Sequence, residues 1–538
     1  MDQLYFNGDI ITMENEEDAP EAVLVSDGII KAVGSLEDLF ALKADGCQAR
    51  DLQGKTLMPA FIDGHSHIYG TGLSYLLKAN LESAENFQDL IDIMKAFIEK
   101  NHIPAGHGVV GVGYDHNFME EHLHPDKKIL DQISTEHPVV VSHISGHMGA
   151  CNSLALETAG IDANTVPNDG EVIGRYEDTN EPTGYLEESA ILRMVRMCMP
   201  KKFDPEKLLN EIQYEYIKNG ITTAQDGGTS AIGLRTMRGL DDKGLLKLDI
   251  RTYPSPLDSM TPEGLDVVLS ENKDLLGEGK NHLKICGYKI LLDGSPQGKS
   301  AWMSKPYENS GDYCGYPWMS DDDLRKYVKL ALDDNMQLLA HCNGDAASQQ
   351  YLDIYEEMLE KSDNPNKYNL RPVMIHCQTV RDDQLDRMVK IKMLPSFFVS
   401  HTWYWGDVHL KNFGDARGRR VSPVKSAVDR GLKFNLHTDT PVVRPDILHT
   451  IWTAVNRVTR EGRSIGPEQC VSVYEALQGQ TINAAYSYFE EDSKGSLKAG
   501  KRADMIILDR NPLKVDKMEI KNLKVLETIK DGQTIFQM

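Results

Sequence analysis

The chain lacks the features that would assign it to a membrane or to a secreted scaffold. No apolar run approaches the roughly 18 residues that a membrane span needs. The first residues show no basic segment followed by an apolar core, so we expect neither insertion nor export. The eight cysteines are scattered singly, without a CxxC pair, which is typical of reduced thiols and predicts a cytoplasmic location.

Basic residues are also too few to balance the acidic ones. With 58 Lys and Arg against 81 Asp and Glu, the formal net charge is −23, which argues against nucleic acid or an anionic membrane as a partner. Hydrophobic residues make up 41% of the chain and charged residues 26%, so there is enough apolar material for a full core. A length of 538 residues predicts one large catalytic domain with a smaller companion.

Both ends of the chain show short strand patterns separated by turn residues. Asn-Gly at 7–8 and Asp-Gly at 27–28 predict hairpin turns. Strands of the same kind return near the other end, again with an Asp-Gly turn. We therefore expect residues 1–57 and 490–538 to form one small β domain.

Residues 58–489 alternate helical patterns with short apolar runs that end in a polar residue. The helical pattern from Asp321 precedes the run Gln337–His341, for example. This alternation is typical of parallel βα units, in which catalytic groups lie at the carboxyl ends of the strands. The segment is longer than a bare barrel of such units, and a stretch of roughly 100–200, rich in Gly, His and Asp, is the predicted insertion.

The strongest local signal is the run Phe61-Ile-Asp-Gly-His-Ser-His67. Two histidines two positions apart on a strand project from the same face, so His65 and His67 can reach one metal ion. The alternative is a pair of surface histidines without a ligand.

Three further strand ends carry groups that could complete such a site. His341 ends the run from Gln337, and His376 ends the run from Pro372, although each alone also fits a hydrogen-bonded core histidine. Asp439 follows an apolar run as well, and it could bind a metal and take a proton from metal-bound water, or cap the next turn.

Lys289 lies inside an apolar strand pattern, where an unpaired ammonium group is costly. It is either a lysine at a sheet edge whose amine reaches solvent or a buried amine with a lowered pKa. A buried amine of that kind can react with carbon dioxide, and the resulting carbamate would bridge two metal ions.

Taken together, these motifs resemble the amidohydrolase superfamily, in particular its metal-dependent branch that includes N-substituted formamide deformylases. The resemblance covers nearly the whole chain. The matching segments are Leu57–His67, Lys289–Ala301, Pro306–Tyr307, His341–Ala347, Arg371–His376, Thr438–Val442 and Gly495–Ile506.

The resemblance implies an α/β fold, a distorted TIM (β/α)8 barrel, with a small β-sandwich domain formed from both termini. It implies one or two divalent ions, with zinc favoured and manganese or iron as alternatives. His65 and His67 would bind the first ion together with Asp439, His341 and His376 would bind the second, and a carboxylated Lys289 would bridge them. A metal-bound hydroxide would attack the substrate, and Asp439 would move the proton to the leaving nitrogen.

Candidate substrate-binding residues are His147, Asn152, Trp403 and His437. His147 and Asn152 resemble a pair that faces the substrate in this branch, and a solvent-exposed loop is the alternative for His147. Trp403 belongs to an aromatic run that forms either a core cluster or the wall of a pocket. His437 stands where the branch commonly has a small residue.

We therefore expect a metal-dependent hydrolase that cleaves an amide-type, non-peptide C–N bond of a small molecule. The alternatives are a deaminase or a lactone or ester hydrolase on the same scaffold, and a non-catalytic metal-binding regulator. Lys289 argues against the deaminase, because that subgroup generally works with a single ion. The expected partner is the small-molecule substrate, and the analogy allows a homodimer.

Overall fold

The computed structural model describes residues 2–116, 118–144, 148–167, 171–187, 189–200, 202–256 and 262–538. The chain divides into two compact units, each described by itself below. The main unit comprises Met1–Tyr69 and Ile212–Met538, and the second unit comprises Gly70–Glu211. In the described residues, no helix has both the length and the apolar character to cross a bilayer.

The strands, in chain order, are β1 (Gln3–Phe6), β2 (Asp9–Ile10), β3 (Ala22–Ser26), β4 (Ile29–Gly34), β5 (Gln48–Asp51), β6 (Thr56–Pro59), β7 (Phe61–Ile62), β8 (Lys78–Asn80), β9 (Val109–Tyr114), β10 (Val139–His143), β11 (Met148–Cys151), β12 (Val172–Arg175), β13 (Pro182–Glu187), β14 (Ile221–Thr229), β15 (Asp249–Pro254), β16 (Leu283–Ile285), β17 (Gly287–Leu291), β18 (Gln337–Cys342), β19 (Val373–His376), β20 (Leu394–Phe397), β21 (Asn435–Leu436), β22 (Met505–Leu508), β23 (Val525–Lys530) and β24 (Gln533–Gln537).

The helices, in chain order, are α1 (Leu36–Leu42), α2 (Ile68–Leu77), α3 (Phe87–Lys100), α4 (Lys127–Leu130), α5 (Ser153–Ala159), α6 (Ser189–Cys198), α7 (Pro205–Ile217), α8 (Ala231–Asp241), α9 (Pro262–Glu271), α10 (Asp321–Asp333), α11 (Asp345–Lys361), α12 (Asp382–Ile391), α13 (His401–Tyr404), α14 (Gly406–Gly418), α15 (Val424–Val428), α16 (Ile447–Asn456), α17 (Val473–Gly479) and α18 (Ile482–Ser487).

Strands from the two ends of the chain meet in the main unit. One sheet has the order β4-β3-β1-β5, and another has the order β2-β6-β22-β23-β24. Leu57, Met505 and Ile529 are fully buried in a core that both sheets share. Each such side chain contributes about 1.5–3 kcal/mol through burial, so residues distant in sequence hold these sheets together. The domain bounds 1–57, 58–489 and 490–538 stay predictions.

The two predicted hairpin turns differ in outcome. Asp27 and Gly28 both have positive φ, and they join the antiparallel strands β3 and β4, so this hairpin is confirmed. The Asn7-Gly8 prediction is wrong, because β1 pairs with β3 and β5 while β2 pairs with β6. A Cβ on Gly8 would lie 2.3 Å from the Lys55 carbonyl oxygen. The glycine therefore permits a close crossing from one sheet to the other.

Parallel sheets form the rest of the strand framework of the main unit. Their orders are β16-β15-β14-β7 and β17-β18-β19-β20-β21, and every paired neighbour within them is parallel. Helices alternate with the strands along the chain. The mixed α/β class is therefore confirmed, and the carboxyl ends of the strands in each sheet lie along one edge.

Helix α10 shows how local sequence sets up one of these strands. It begins after Ser320, whose hydroxyl accepts a hydrogen bond from the Asp323 amide, and three aspartates in its first turn complement the helix dipole. Its buried face includes Leu324 and Val328. The helix ends at Asp333, and β18 then carries His341 to the edge of the sheet. Both elements agree with the sequence prediction.

The second unit is built on one sheet with the order β12-β13-β11-β10-β9-β8. Successive valines at 109–110 and 140–141 alternate between the two faces of this sheet. Helix α3 packs on one face through Leu90 and Met94, and α6 packs on the other through Ile191 and Met194. The sheet thus buries both faces, and the unit contains the stretch that the sequence marks as an insertion.

Candidate metal centre

The segment Asp63–His67 follows β7 and is fixed by contacts to the last parallel strand. The carboxylate of Asp63 accepts hydrogen bonds from the Thr438 amide at 3.1 Å and from its hydroxyl at 2.6 Å. A Cβ on Gly64 would lie 2.3 Å from the Asn435 side-chain oxygen, so only glycine allows this approach. Because β7 ends at Ile62, the two histidines lie just after the strand rather than on it. Their side chains nevertheless converge.

Asp439 is the point of convergence. Its Oδ1 lies 3.4 Å from Nε2 of His65 and 3.4 Å from Nε2 of His67. The residue has a φ of 55°, and its backbone amide donates to the His65 carbonyl at 3.0 Å. Asp439, which follows the strand β21, is thereby attached to the histidine segment that follows β7.

His341 and His376 form the second part of the site. Nδ1 of His341 lies 2.9 Å from Nε2 of His376, and the ring centroids are 4.4 Å apart. Asn343 and the Gly294 carbonyl contact Nε2 of His341 at 3.0 and 3.3 Å. The two strand ends therefore place their imidazoles together, and the role of both residues as ligands of a second ion stays a prediction.

Lys289 connects these parts. It is almost fully buried on β17, and its Nζ lies 3.3 Å from Nε2 of His65. Burial lowers the pKa of the amine to about 8, while the nearby Asp439 carboxylate opposes the shift. Near physiological pH a substantial fraction of this amine is therefore neutral. The structure excludes the alternative of a solvent-reaching lysine.

The donor set fits a divalent cation. Burial lowers the pKa of both His65 and His376, so both imidazoles are neutral near pH 7 and have lone pairs available. Asp439 Oδ1 is buried and makes no hydrogen bond to any described residue. Ligand atoms of His65, His376 and Asp439 all lie within 4.8 Å of one another. Imidazole nitrogens around a carboxylate oxygen without a proton donor are what zinc and related ions bind.

His437 is held inside the site rather than at its surface. The residue is fully buried, with Nε2 lying 3.2 Å from Nδ1 of His376 and Nδ1 lying 2.8 Å from the Ser396 hydroxyl. These contacts suit a residue that orients His376. Its predicted contact with substrate is not tested by this placement.

The remaining predicted substrate residues are not gathered at this centre by the described contacts. Trp403, on α13, packs against Trp452 and His449 with centroid distances of 5.2 and 5.8 Å. Asn152, in the second unit, caps α5, and its amide group bonds four backbone groups of that unit. His147 lies outside the described residues. Their roles toward substrate stay predictions.

Sequence reasoning missed the side chains that support the ligands. Nδ1 of His65 is hydrogen-bonded to the Gln225 side chain, which β14 supplies. Ser396 supports His437 in the same way from β20. Asp63 stands inside the histidine motif and could have been noted as the group that fixes it. Gln225 and Ser396 have no sequence signal, because their roles depend on which strands become neighbours.

Comparison with known proteins finds relatives that match nearly the whole length of the chain. The profile of the amidohydrolase family, Amidohydro_3, matches residues 48–536. The chain is 26% identical to N-substituted formamide deformylase of Arthrobacter pascens over 544 residues, 99% of this chain and 97% of the relative. It is 25% identical to YtcJ of Bacillus subtilis over 552 residues, the whole of both chains. An uncharacterized metal-dependent hydrolase from Pyrococcus furiosus has a similar structure, with a TM-score of 0.75 and 25% identity over 96% of this chain and 100% of that one.

Proposed function

Because the chain belongs to the amidohydrolase family, we propose that it is a metal-dependent hydrolase that cleaves an amide-type, non-peptide C–N bond of a small molecule. The observation that carries this proposal is the convergence of His65 and His67 on the buried Oδ1 of Asp439, 3.4 Å from each ring nitrogen. Amide hydrolysis needs an activated water and a proton for the leaving nitrogen. A cation-binding group of histidines beside a carboxylate suits both needs.

The fold proposal is a distorted TIM (β/α)8 barrel with a β-sandwich formed from both termini. Two observations support a closed barrel. The Cys286 amide donates to the Thr252 carbonyl at 3.0 Å, and the Gly64 amide donates to the Leu436 carbonyl at 3.3 Å. Cys286 joins β16 of one parallel sheet to β17 of the other and bonds to β15, whereas Gly64 follows β7 of the first sheet and bonds to β21 of the second. Sites at the carboxyl ends of barrel strands are typical of enzymes with this fold.

The proposed ligands divide into two groups. His65, His67 and Asp439 would hold one ion, His341 and His376 would hold a second, and a carboxylated Lys289 would stand between the two groups. We favour zinc, because imidazole nitrogens dominate the set. Bound at these residues, such ions supply Lewis acidity, which lowers the pKa of water and polarises a carbonyl oxygen.

Carboxylation of Lys289 is supported by its burial and its lowered pKa. The neutral amine adds carbon dioxide and releases one proton, which gives a carbamate with two oxygen ligands. The modification also replaces a buried cation by a buried anion, which is favourable only beside bound cations. We therefore expect metal content and carboxylation to rise and fall together.

Asp439 is the proposed proton carrier. Its carboxylate accepts a proton from the attacking water and delivers it to the leaving nitrogen. The backbone bond from Asp439 to His65 keeps the carboxylate beside the histidines during this transfer. Burial of the site limits access of bulk water to the proton being moved.

The first test is a substrate screen of the zinc-loaded protein against N-formyl, N-acyl and cyclic amides, with released amine as the signal. N-formyl compounds come first, because a relative over nearly the whole chain is named a formamide deformylase. We expect amine release that disappears after chelation and returns with zinc. Release that persists in protein stripped below about a twentieth of an ion per chain would contradict the metal-dependent mechanism.

A further inference from the structure

The second unit carries a cluster of potential metal ligands of its own, formed by Asp115, His116 and His143. Strands β9 and β10 run parallel, and their register pairs His143 with Tyr114 after a shift at Ser142. Asp115 and His116 directly follow β9, while His143 is the last residue of β10. The three residues therefore lie at the same carboxyl edge of this sheet, and none belongs to the centre in the main unit.

The ligand atoms in this cluster face one another closely. Nδ1 of His116 lies 3.2 Å from Nε2 of His143, which in turn lies 3.4 Å from Oδ1 of Asp115. One ligand atom from each of the three residues lies within 4.8 Å of the ligand atoms of the other two. Two ligands bound tetrahedrally at about 2.0–2.1 Å from zinc stand about 3.3–3.4 Å apart. The two short separations match that value.

Neighbouring rings orient the cluster. His124 lies against His116 with a centroid distance of 4.0 Å and an interplanar angle of 31°. The Tyr114 hydroxyl and Nδ1 of His124 are 2.9 Å apart, so His124 is itself held in place. His143 is largely buried, and its ring packs edge-on against Tyr114 at 5.3 Å. This packing restricts the ring orientations, as ligand groups need if they are to bind an ion without a large entropy cost.

We propose that Asp115, His116 and His143 bind a divalent first-row transition-metal ion, with zinc as the best-fitting candidate, at a site formed by residues of the second unit alone. Two imidazole nitrogens and one carboxylate oxygen suit zinc, cobalt or iron, whereas magnesium and calcium prefer oxygen ligands throughout. Three protein ligands leave a coordination position for water or another group. The ion would fasten the end of β9 to the end of β10, so its binding stabilises the second unit.

The test compares metal content in three variants of the full chain after equilibration with buffered zinc. The double variant His116→Ala/His143→Ala should carry one zinc ion fewer than the wild type. The double variant His65→Ala/His67→Ala should keep the ion of the second unit, and His107→Ala, an exposed histidine of the same unit, should lose none. Equal zinc content in the wild type and the His116→Ala/His143→Ala variant would overturn the proposal.

A measurement on the wild type removes any dependence on how the variants fold. Crystals grown with zinc should show an anomalous scattering peak at the zinc absorption edge between Asp115, His116 and His143. An anomalous peak at the main centre with none at this cluster would show that the three side chains form only a hydrogen-bonded group. Since the two peaks are independent, this result does not depend on the proposed hydrolase activity.

Discussion

Asp249 and Asp439 are both buried carboxylates of the main unit, and their surroundings differ. Asp249 begins β15, so it lies at the amino end of a parallel strand, whereas Asp439 follows the carboxyl end of β21. Oδ2 of Asp249 is contacted by Lys494 at 2.5 Å, Lys530 at 2.9 Å and Arg502 at 3.0 Å. Burial raises the pKa of Asp249, but the charges of Lys494, Lys530 and Arg251 outweigh it and lower the pKa far below its ordinary value.

Among the described residues, Asp439 has no comparable set of cations, and the nearby Lys289 amine has a pKa that burial lowers to about 8. Its Oδ1 faces two imidazole nitrogens at 3.4 Å and makes no hydrogen bond to any residue that the structure describes. A buried carboxylate surrounded by cationic side chains needs nothing further, and its role is structural. A buried carboxylate oxygen that lies beside imidazole nitrogens and one amine of lowered pKa is suited to bind a metal ion. The difference separates a structural cluster from a candidate metal centre.

The largest expected effect is on activity, at Asp439. Asp439→Asn removes both a ligand and the proton carrier, and we expect kcat/KM to fall by about 10⁴-fold, or about 5.5 kcal/mol in activation free energy. The free energy of unfolding of the metal-free protein should change far less. Amine release by the best substrate of the screen, with urea unfolding alongside, measures both quantities.

Asp429→Asn is the matched control for that change. Asp429 is exposed and pairs with Lys425 at 2.7 Å on the helix surface. Its replacement should leave kcat/KM unchanged and stability within about 1 kcal/mol. An Asp439→Asn variant that is as active as this control would refute the assigned proton transfer.

At Asp249 we expect the effect of a substitution to be on stability and not on zinc binding. Asp249→Asn removes the anion that two buried lysines, Lys494 and Lys530, share with the partly exposed Arg502, and we expect a loss of about 3–5 kcal/mol in the free energy of unfolding. Zinc per folded chain should be unchanged. Urea unfolding at pH 7 gives the stability, and Asp429→Asn again serves as the surface control. Equal stability of the two variants would mean that the ion cluster is not structural.

The Asp249 carboxylate also makes the stability of the protein depend on pH. Its pKa is lower in the folded than in the unfolded chain, so its stabilising contribution is complete above the unfolded value of about 3.9. The contribution is lost as the pH falls from there toward the folded pKa. The wild type should therefore lose more stability than Asp249→Asn on acidification below about pH 4.

The local pattern of the fold was predictable, and its long-range pairing was not. Apolar runs of strand length and helical periodicity are local properties, so α10 and β18 could be placed from the sequence. Asn-Gly at 7–8 has the composition of a hairpin turn, yet β2 pairs with β6 rather than with β1. The preference of a turn is local, but the choice of partner strand depends on residues about fifty positions away.

The same division holds at the candidate metal centre. His65, His341 and Asp439 could be proposed as ligands because each is a polar residue that follows an apolar run. Their supports could not, because Gln225 stands 160 positions from His65 and Ser396 stands 41 positions from His437. A polar residue in a strand does not reveal its partner until the strands are ordered.

The smallest expected effect tests whether the hydrogen bonds from His376 to His437 and from His437 to Ser396 leave Nε2 of His376 available to a metal ion. If Nδ1 of His376 donates to Nε2 of His437, and Nδ1 of His437 donates to Ser396, then Nε2 of His376 keeps its lone pair for a cation. Ser396→Ala removes the last acceptor, and we expect zinc affinity to fall about 10-fold, the lower end for supporting residues. Competition with a chromophoric chelator measures this change.

Ser487→Ala, which removes a buried hydroxyl bonded to the Ala484 carbonyl at 2.7 Å, should leave zinc affinity unaltered. Since both variants lose one buried hydrogen bond, similar zinc affinities would mean that the hydroxyl of Ser396 contributes to packing and not to the orientation of His376.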